Sequence, residues 1–313
     1  MVRAIAYTEF GGPEVLRQID VPAPEPAPGH LVVRVEAAGV NPVDAKLRAA
    51  IRPSPPITEP RRVGGDGAGV VVAVGEEVDG FRPGDPVVFL GVQGSYAEQV
   101  LVPAERAWPR PPQVSAATGA ALGIPVGTAY QTLRSLGVRA GDTVLVHGGS
   151  GAVGQALIQF AVLWGARVVA TSSPARADRV RALGATPVPY GDGLAGRVRE
   201  VAPAGVTVAV DAAGTDEALQ VSVELVSDRS RIATLVRGAD ADGLGIRAFA
   251  GGSPHPLTAQ QQRWRTEAIP VVLGLLAAGR FTVELGAEFP LADAAEAHRL
   301  VETGANGKIT LVP

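Results

Sequence analysis

The feature that most constrains this chain is a glycine-rich turn near its middle, flanked by an apolar run and by a helical pattern. Residues 143–146 are apolar enough for a buried parallel strand, and residues 155–164 repeat apolar side chains at helical spacing. Gly149, Gly151 and Gly154 lie between the two and satisfy the pattern G-x-G-x-x-G.

Glycines at this spacing permit a tight turn, let the backbone approach a pyrophosphate and let the helix pack closely on the strand. The same pattern also fits an ordinary turn between a strand and a helix. A second apolar run at residues 165–171 completes the strand–helix–strand unit that a dinucleotide site requires. This context favours a nucleotide-binding turn.

Length and composition exclude several classes of protein. The 313 residues are enough for two domains with substantial cores. The net charge of −3 is spread along the chain, which argues against a nucleic-acid surface. The chain has no cysteine, which excludes disulfides, thiol catalysis and cysteine-ligated zinc. Its first residues lack an apolar signal core and its longest apolar helical stretch, 268–278, is short, so we expect a cytoplasmic protein without a membrane partner.

The first part of the chain, to about residue 122, has the pattern of an all-β module. Short alternating runs separated by Pro/Gly turns predict a small barrel. These runs lie at 2–7, 31–36, 69–74 and 86–89. The proline-dense stretches 22–28 and 52–60 are predicted to be surface loops.

From about residue 128 helical and strand patterns alternate, which predicts a doubly wound parallel sheet and places the chain in the α/β class. An irregular stretch at 250–256 could cover a substrate pocket or be a plain surface loop. A predicted helix at 259–278 is followed by a β-rich run at 281–284, a helix near 292–302 and a last strand at 308–312. This final segment has the texture of the N-terminal module and is predicted to complete it.

Several motifs in the same order resemble the medium-chain dehydrogenase/reductase superfamily, and within it the zinc-free quinone oxidoreductase branch. They are Gly39-Val-Asn41-Pro-Val-Asp44, Gly64-Gly65-Asp66, Gly84-Asp85, Gly94-Ser-Tyr-Ala-Glu98, Gly127-Thr128, the glycine turn, Asp211-Ala-Ala-Gly214 and Gly307-Lys308-Ile. The resemblance covers nearly the whole chain. It implies a GroES-like β-barrel catalytic domain from 1 to 122, completed by 265–313, and a Rossmann NADP-binding domain at 123–264, with the cofactor in a cleft across both.

The departures from the zinc-dependent relatives indicate the chemistry. Asn41 stands where those enzymes have a ligand cysteine, and Gly65 stands where they have a ligand histidine. We therefore expect no metal. Without a Lewis acid, reduction of a plain ketone lacks stabilisation for its alkoxide, whereas an enone or a quinone spreads the charge where hydrogen-bond donors can meet it.

Three residues in one loop are the catalytic candidates. By resemblance, Asn41 faces the nicotinamide or the substrate carbonyl, although it could be a turn-former instead. Asp44 and Lys46 could touch the substrate or relay a proton, or they could form a solvated ion pair. Asp66 is predicted to shape a turn. Of the four histidines, His147 could hydrogen-bond near the phosphates and the others are predicted to be structural.

The residues after the second strand of the nucleotide fold indicate which cofactor binds. NAD sites place an acidic residue about 20 residues after the turn. Here residues 171–174 are Thr-Ser-Ser-Pro, with no acid before Asp178. Ser172 and Ser173 can donate to phosphate oxygens, and Arg176 can meet a phosphate bidentately, unless it only decorates a solvated helix start. The sequence therefore predicts NADPH.

The resemblance adds Asn41, Thr128, Tyr190 and Asn306 to the cofactor contacts. The complete predicted set is Asn41, Thr128, Gly149, Ser150, Gly151, Ala152, Val153, Gly154, Ser172, Ser173, Arg176, Tyr190 and Asn306. Tyr130 is predicted to be a packing residue.

The predicted function is hydride transfer from NADPH to a small quinone or α,β-unsaturated carbonyl, by a protein that the resemblance implies is a homodimer. Two alternatives stay open at this point. One is an enoyl reductase acting on thioester-bound substrates. The other is a nucleotide-binding protein without turnover, since an intact glycine turn indicates binding of a cofactor and not catalysis.

Overall fold

The computed structural model describes residues 1–51, 54–249, 253 and 255–313. The chain divides into two compact units. The first consists of Met1–Ile124 and Ile269–Pro313, and the second is Pro125–Ala268.

Helices and strands alternate along most of the chain. Before the glycine turn they are β1 (Val2–Tyr7), β2 (Arg17–Val21), β3 (His30–Gly39), α1 (Pro42–Arg48), β4 (Arg61–Arg62), β5 (Asp66–Val74), β6 (Pro86–Phe89), β7 (Gln99–Pro103), β8 (Ala107–Pro109), α2 (Ala116–Ala120), α3 (Gly123–Ser135) and β9 (Thr143–His147). After it come α4 (Ala152–Leu163), β10 (Arg167–Ser172), α5 (Ala177–Ala182), β11 (Thr186–Pro189), α6 (Leu194–Val201), β12 (Val208–Asp211), α7 (Asp216–Leu225), β13 (Ile232–Thr234), α8 (Ala241–Leu244), β14 (Arg247–Ala248), α9 (Ala259–Ala277), β15 (Leu285–Pro290), α10 (Ala294–Thr303) and β16 (Lys308–Val312).

The first unit is built on β3, whose ten residues pair antiparallel with β5, β7 and β16. The resulting seven-stranded sheet has the order β15-β16-β3-β5-β6-β8, with β7 beside β3, and a second sheet joins β2, β1 and β4. Apolar side chains from these strands, among them Val33, Val71 and Phe89, form one buried core. The predicted β-rich N-terminal module is therefore confirmed, and β16 completes its sheet as expected.

One detail of the C-terminal prediction is wrong. The run 281–284 is not a strand, and β15 begins at Leu285 instead. It pairs parallel with β16, with a register shift between Leu285 and Glu288.

The second unit contains a six-stranded parallel sheet with the order β11-β10-β9-β12-β13-β14. All five residues of β9 are buried, as its apolar run predicts. The chain winds outward from β9 in one direction through β10 and β11, and in the other through β12 to β14. The predicted doubly wound fold is confirmed, and its topological switch point lies between β9 and β12, where such folds bind ligands.

Two predicted loops fall partly outside the described residues. Residues 22–28 form the expected loop, and so do 54–60, while 52 and 53 are not described. Of the irregular stretch 250–256, residues 250–252 and 254 lie outside the description, so its predicted role over a pocket has no structural account. Within the described ranges no helix is both long and apolar enough to cross a membrane.

Candidate functional site: a buried polar cluster and a glycine turn

Three distant segments of the first unit meet where β3 ends. Gly39, the last residue of β3, pairs with Asp66 at the start of β5 and with Thr310 of β16. Asn41 follows Gly39 by two residues, and Lys308 precedes Thr310 by two. The register of the sheet therefore brings Asn41, Asp66 and Lys308 together.

Asn41 is the centre of this cluster and is only 1% exposed. Its Nδ2 donates to Asp66 Oδ2 at 2.9 Å, and its Oδ1 accepts from Lys308 Nζ. It also stands at the N-cap position of α1. Both ends of its amide are thus bound by protein groups, so the side chain links a carboxylate to an ammonium group.

Asp66 does not shape a turn, and that prediction is wrong. It is the first residue of β5 and is buried. Its Oδ2 also accepts from the backbone N–H of Ile124 at 3.1 Å. A Cβ added to Gly123 would lie 2.4 Å or less from the Asp66 carboxylate, so that glycine makes room for the buried charge.

Lys308 was not among the predicted site residues, although its motif was. It is 5% exposed, and its Nζ also donates to the carbonyl oxygen of Val40 at 2.6 Å. Burial lowers its pKa to about 8, while the nearby Asp66 and Asp44 carboxylates oppose that change. One signal could have singled it out: Lys308 and Lys46 are the only lysines among 28 basic residues, and Lys308 opens an apolar strand.

Asp44 adjoins this cluster and lies in the first turn of α1. It is 8% exposed, and its Oδ2 accepts from the backbone N–H of Asn41 at 2.9 Å and from the Tyr96 hydroxyl at 3.1 Å. Burial raises its pKa to about 6, Asp66 adds to the rise, and the Asn41 N–H and Lys308 oppose it. The alternative of a solvated ion pair with Lys46 is wrong because Asp44 is buried and bonded to other groups.

A cleft of about 390 Å³ opens beside Asp44. Its lining includes Val43, Asp44 and Leu47 of α1, Arg61 and Arg62 of β4, and Gly64, Gly65, Val92 and Gln93. Lys46 is half-buried and is not among the lining residues. Of the three predicted catalytic residues, the structure therefore puts Asp44 at a cleft, Asn41 in the cluster behind it, and Lys46 in neither.

The three glycines of the motif lie in the second unit, and the physical reason for glycine differs from one position to the next. A Cβ on Gly149 would lie 2.6 Å from the Ala170 Cβ, and one on Gly154 would lie 2.1 Å from the Gly148 carbonyl oxygen. These two glycines are required by packing of the turn. A Cβ on Gly151 would meet nothing closer than 3.6 Å, so packing leaves room there.

The turn also presents the start of a helix. Gly151 is the N-cap of α4 and supplies no capping side chain. Unpaired N–H groups and the positive end of a helix dipole suit a phosphate group. The predicted segment Gly149–Gly154 therefore fits a pyrophosphate. Thr171 was not predicted, and it holds the turn: its Oγ1 and carbonyl oxygen accept from the N–H groups of Gly148 and Gly149.

The other predicted phosphate contacts gather at the carboxyl ends of β10 and β11. Ser172 pairs with Pro189, so Tyr190 follows next to Ser173. Ser172 is buried and its Oγ has no hydrogen-bond partner among the described residues, while the Tyr190 side chain is 60% exposed. Arg176 ends a short 3-10 turn just beyond, Pro174–Arg176. An orphaned hydroxyl, an exposed ring and a guanidinium group at one sheet edge fit a phosphorylated ribose.

Three further predicted residues have these positions. Thr128 is buried in α3 and its Oγ1 accepts from Arg265 Nη2 at 3.3 Å. Tyr130 packs against Phe160, as expected. Asn306 is exposed in the bend before β16 and belongs to the first unit.

His147, at the end of β9, is buried, and its Nε2 has no hydrogen-bond partner in the described part of the chain. Burial lowers its pKa to about 4. The described residues also contain no group of three or more His, Cys, Asp or Glu side chains that could hold a metal ion.

Comparison with known proteins agrees with this architecture. The family model of the alcohol dehydrogenase GroES-like domain matches residues 27–112, and that of the zinc-binding dehydrogenases matches residues 152–247. The quinone oxidoreductase of Pseudomonas aeruginosa is 31% identical over the full length of both chains. The mouse quinone oxidoreductase is 42% identical over 55% of this chain, but the match spans only 53% of the mouse protein.

Among solved structures, the Escherichia coli quinone oxidoreductase complexed with NADPH is 25% identical and superimposes with a TM-score of 0.85. The match covers 99% of this chain and 100% of the Escherichia coli chain. Full-length similarity above 30% to a named quinone oxidoreductase, together with the GroES-like and Rossmann-type units, establishes the family. The chain therefore belongs to the quinone oxidoreductase branch of the medium-chain dehydrogenase/reductase superfamily.

Proposed function

We propose that this protein is a zinc-independent, NADPH-dependent oxidoreductase that reduces quinones or α,β-unsaturated carbonyl compounds. The observation that carries the proposal is the pair formed by Asp44, a carboxyl group beside a cleft, and the Asn41–Asp66–Lys308 cluster behind it. By the family resemblance, Asn41 stands where zinc-dependent relatives have a ligand cysteine, and Gly65 stands where they have a ligand histidine. Asn41 and Gly65 offer no metal-ligating donor of the usual kind.

The cofactor would be held mainly by the second unit. The backbone of Gly149, Ser150, Gly151, Ala152, Val153 and Gly154 would take the pyrophosphate, and Ser172, Ser173, Arg176 and Tyr190 would take the phosphorylated ribose. The family resemblance adds three proposed cofactor contacts, which are Thr128, Asn41 and Asn306. The NADPH complex of the Escherichia coli relative supports this assignment.

When bound, NADPH supplies a hydride, and the protein must do the rest. Hydride addition to a quinone leaves a negative charge on an oxygen, and one proton completes the quinol. Asp44 is the group suited to supply that proton, because it lies at the cleft and keeps a proton at higher pH than an ordinary carboxyl group. Lys308 places a positive charge close behind it.

A substrate panel tests this function. We expect the purified protein to oxidise NADPH with 1,4-naphthoquinone or an enone much faster than with a saturated ketone, and to keep that activity after dialysis against a chelator. Near-stoichiometric zinc that leaves together with the activity would contradict zinc independence. Selective turnover of enoyl thioesters would favour the thioester alternative, and tight NADPH binding without turnover of any substrate would favour a binding protein.

Arg176→Ala is predicted to raise the KM for NADPH and to leave the KM for NADH unchanged. Charge-assisted contacts to a phosphate correspond to roughly tenfold or more in affinity. Arg181→Ala is the matched control, because Arg181 lies on α5 in the same segment but forms an exposed pair with Asp178. Steady-state kinetics with both cofactors decide the matter. Equal losses with NADH and NADPH would show that Arg176 does not read the 2′-phosphate.

We also propose that the protein is a homodimer, as the family resemblance implies, and that it is cytoplasmic. Light scattering of the purified protein measures the first, and cell fractionation measures the second.

A further inference from the structure

A hydrogen-bond chain of buried side chains leads from Asp44 through the first unit. The Tyr96 hydroxyl lies 3.1 Å from Asp44 Oδ2 and 3.4 Å from His298 Nε2, and His298 Nδ1 lies 3.2 Å from Arg48 Nη1. Arg48 is fixed on its other side by Glu302 and by the carbonyl oxygen of Gly11. Apart from Glu302, all the side chains in this chain are buried.

The hydrogen-bond donors in this hydrogen-bond chain can point in only one direction. A guanidinium group has N–H donors and no acceptor, so Nδ1 of His298 must accept from Arg48. A neutral imidazole then carries its hydrogen on Nε2 and donates it to the Tyr96 oxygen. The Tyr96 hydroxyl hydrogen is left to donate to Asp44. Hydrogen bonds are therefore donated in the order Arg48 to His298, His298 to Tyr96, and Tyr96 to Asp44.

Protonation of the two middle groups agrees with this direction. Burial and the Arg48 charge lower the pKa of His298 to about 3, so the ring stays neutral. Burial and the Asp44 charge raise the pKa of Tyr96 well above its usual value, so the hydroxyl stays protonated. Asp44 is the member of the chain that titrates between these limits.

The two oxygens of Asp44 differ in their surroundings. Oδ2 accepts both hydrogen bonds, from the Asn41 N–H and from the Tyr96 hydroxyl. No hydrogen bond reaches Oδ1 from any residue that the structure describes. A proton on Asp44 therefore belongs on Oδ1, since Oδ2 is occupied by two donors.

We propose that Tyr96 and His298, aligned by Arg48, are positioning residues that keep the transferable proton of Asp44 on Oδ1. The proposal rests on the proposed role of Asp44 as proton donor to the reduced substrate. In that step the Oδ1–H bond breaks, a bond forms between the proton and the substrate oxygen, and solvent returns the proton to Asp44.

Several charged or titratable groups surround Asp44 and bear on its pH dependence. They are Arg48 of α1, Arg61 and Arg62 of β4, Asp66 of β5, Tyr96, His298 of α10 and Lys308 of β16. Tyr96 is the one among them whose side chain donates a hydrogen bond directly to the Asp44 carboxylate.

The pH profile of kcat with a quinone tests the proposal. Protonated Asp44 is the active form, so the rate of the wild type should fall as pH rises through about 6. Tyr96→Phe removes a donor to the ionised carboxylate, which raises the pKa of Asp44 and shifts the fall upward by about one pH unit. Asp44→Asn should abolish this limb of the profile.

A matched pair at His298 separates positioning from packing. In His298→Gln, the amide can accept from Arg48 and donate to Tyr96, so the wild-type profile should be retained. In His298→Leu the donor to Tyr96 is lost, and the profile should shift in the same direction as in Tyr96→Phe. Tyr130→Phe is the control. It removes a hydroxyl that donates to the carboxylate of Glu267, which is not part of this hydrogen-bond chain, and it should leave the pH profile unchanged.

A second readout does not depend on turnover. Carbon-13 NMR of the Asp44 carboxyl group, assigned with Asp44→Asn, gives its pKa directly in the wild type and in each folded variant. An upward shift of the Asp44 pKa in Tyr96→Phe and His298→Leu but not in His298→Gln supports the proposed role of the hydrogen-bond chain even if no quinone is reduced. Unchanged Asp44 titration in Tyr96→Phe overturns it, whatever the activity.

Discussion

Lys308→Met should destabilise the folded protein by about 1–3 kcal/mol or more, the usual cost of leaving buried hydrogen-bonding groups without their partner. Lys308 is buried beside the Asp66 and Asp44 carboxylates and supplies the ammonium group bound by Asn41. Methionine has a similar length but no charge, so Asn41 Oδ1 and the Val40 carbonyl oxygen lose their donor, and the Asp66 carboxylate loses a nearby positive charge. Urea unfolding at several pH values measures the change.

The sign of the pH dependence follows from Lys308 itself. Burial lowers its pKa in the folded protein to about 8, so above that pH the unfolded chain binds more protons than the folded wild type, and the wild type gains stability as pH rises through about 8. Methionine does not titrate, so the variant lacks this gain. The defect of Lys308→Met should therefore be largest at alkaline pH.

The double variant Asp66→Asn/Lys308→Met removes both charges and should recover part of the lost stability, since no buried carboxylate at position 66 is then left without a nearby cation. Lys46→Met is the control on the other lysine, which is half-buried and outside the cluster, and should change stability by no more than about 0.5 kcal/mol. If Lys308→Met lowers the free energy of unfolding no more than Lys46→Met does, the Lys308 ammonium group does not stabilise the cluster.

Gly154→Ala and Gly151→Ala should both weaken cofactor binding, but only Gly154→Ala should destabilise the fold. The Cβ that Gly154→Ala introduces would lie 2.1 Å from the Gly148 carbonyl oxygen and 2.7 Å from the Gly149 Cα. Both are backbone atoms, so the turn itself must move. We expect Gly154→Ala to cost about 1–3 kcal/mol or more, the range for overpacking, and to abolish NADPH binding with the loss of the turn.

Gly151→Ala tests the space left for a ligand. Its φ of −74° and ψ of 165° suit alanine, and the nearest atom to the new Cβ is 3.6 Å away. The thermal unfolding midpoint should therefore stay close to that of the wild type. NADPH binding should weaken roughly tenfold or more, because a methyl group occupies the place where the backbone approaches the pyrophosphate.

Thermal unfolding and fluorescence titration with NADPH measure both variants. Wild-type affinity in Gly151→Ala would show that the turn does not hold the pyrophosphate. Wild-type stability in Gly154→Ala would show that the close contact with Gly148 is relieved without cost.

The sequence by itself determined the features that depend on near neighbours in the chain. The apolar run of β9, the three glycines and the helical spacing of α4 lie within about twenty residues and specify a strand–turn–helix unit. Alternating side chains predicted most strands of the first unit because a strand with one buried face has a period of two. The family resemblance, carried by short motifs, identified Asn41, Asp44 and the cofactor segment.

Only the tertiary structure decided how the polar residues are partnered. Lys308 bonds to Asn41 across 267 positions of the chain, and His298 bonds to Arg48 across 250. Both contacts depend on the first unit: β16 pairs with β3 next to β5, and α10 packs against α1.

Local patterns could not distinguish Lys46, which is half-buried outside the cluster, from Lys308, which is buried within it. Nor could they show that Asp66 is a buried strand residue and not a turn-former. The physical reason is that the protonation and role of a charged side chain depend on what surrounds it in space. In this chain those surroundings come from segments hundreds of residues apart.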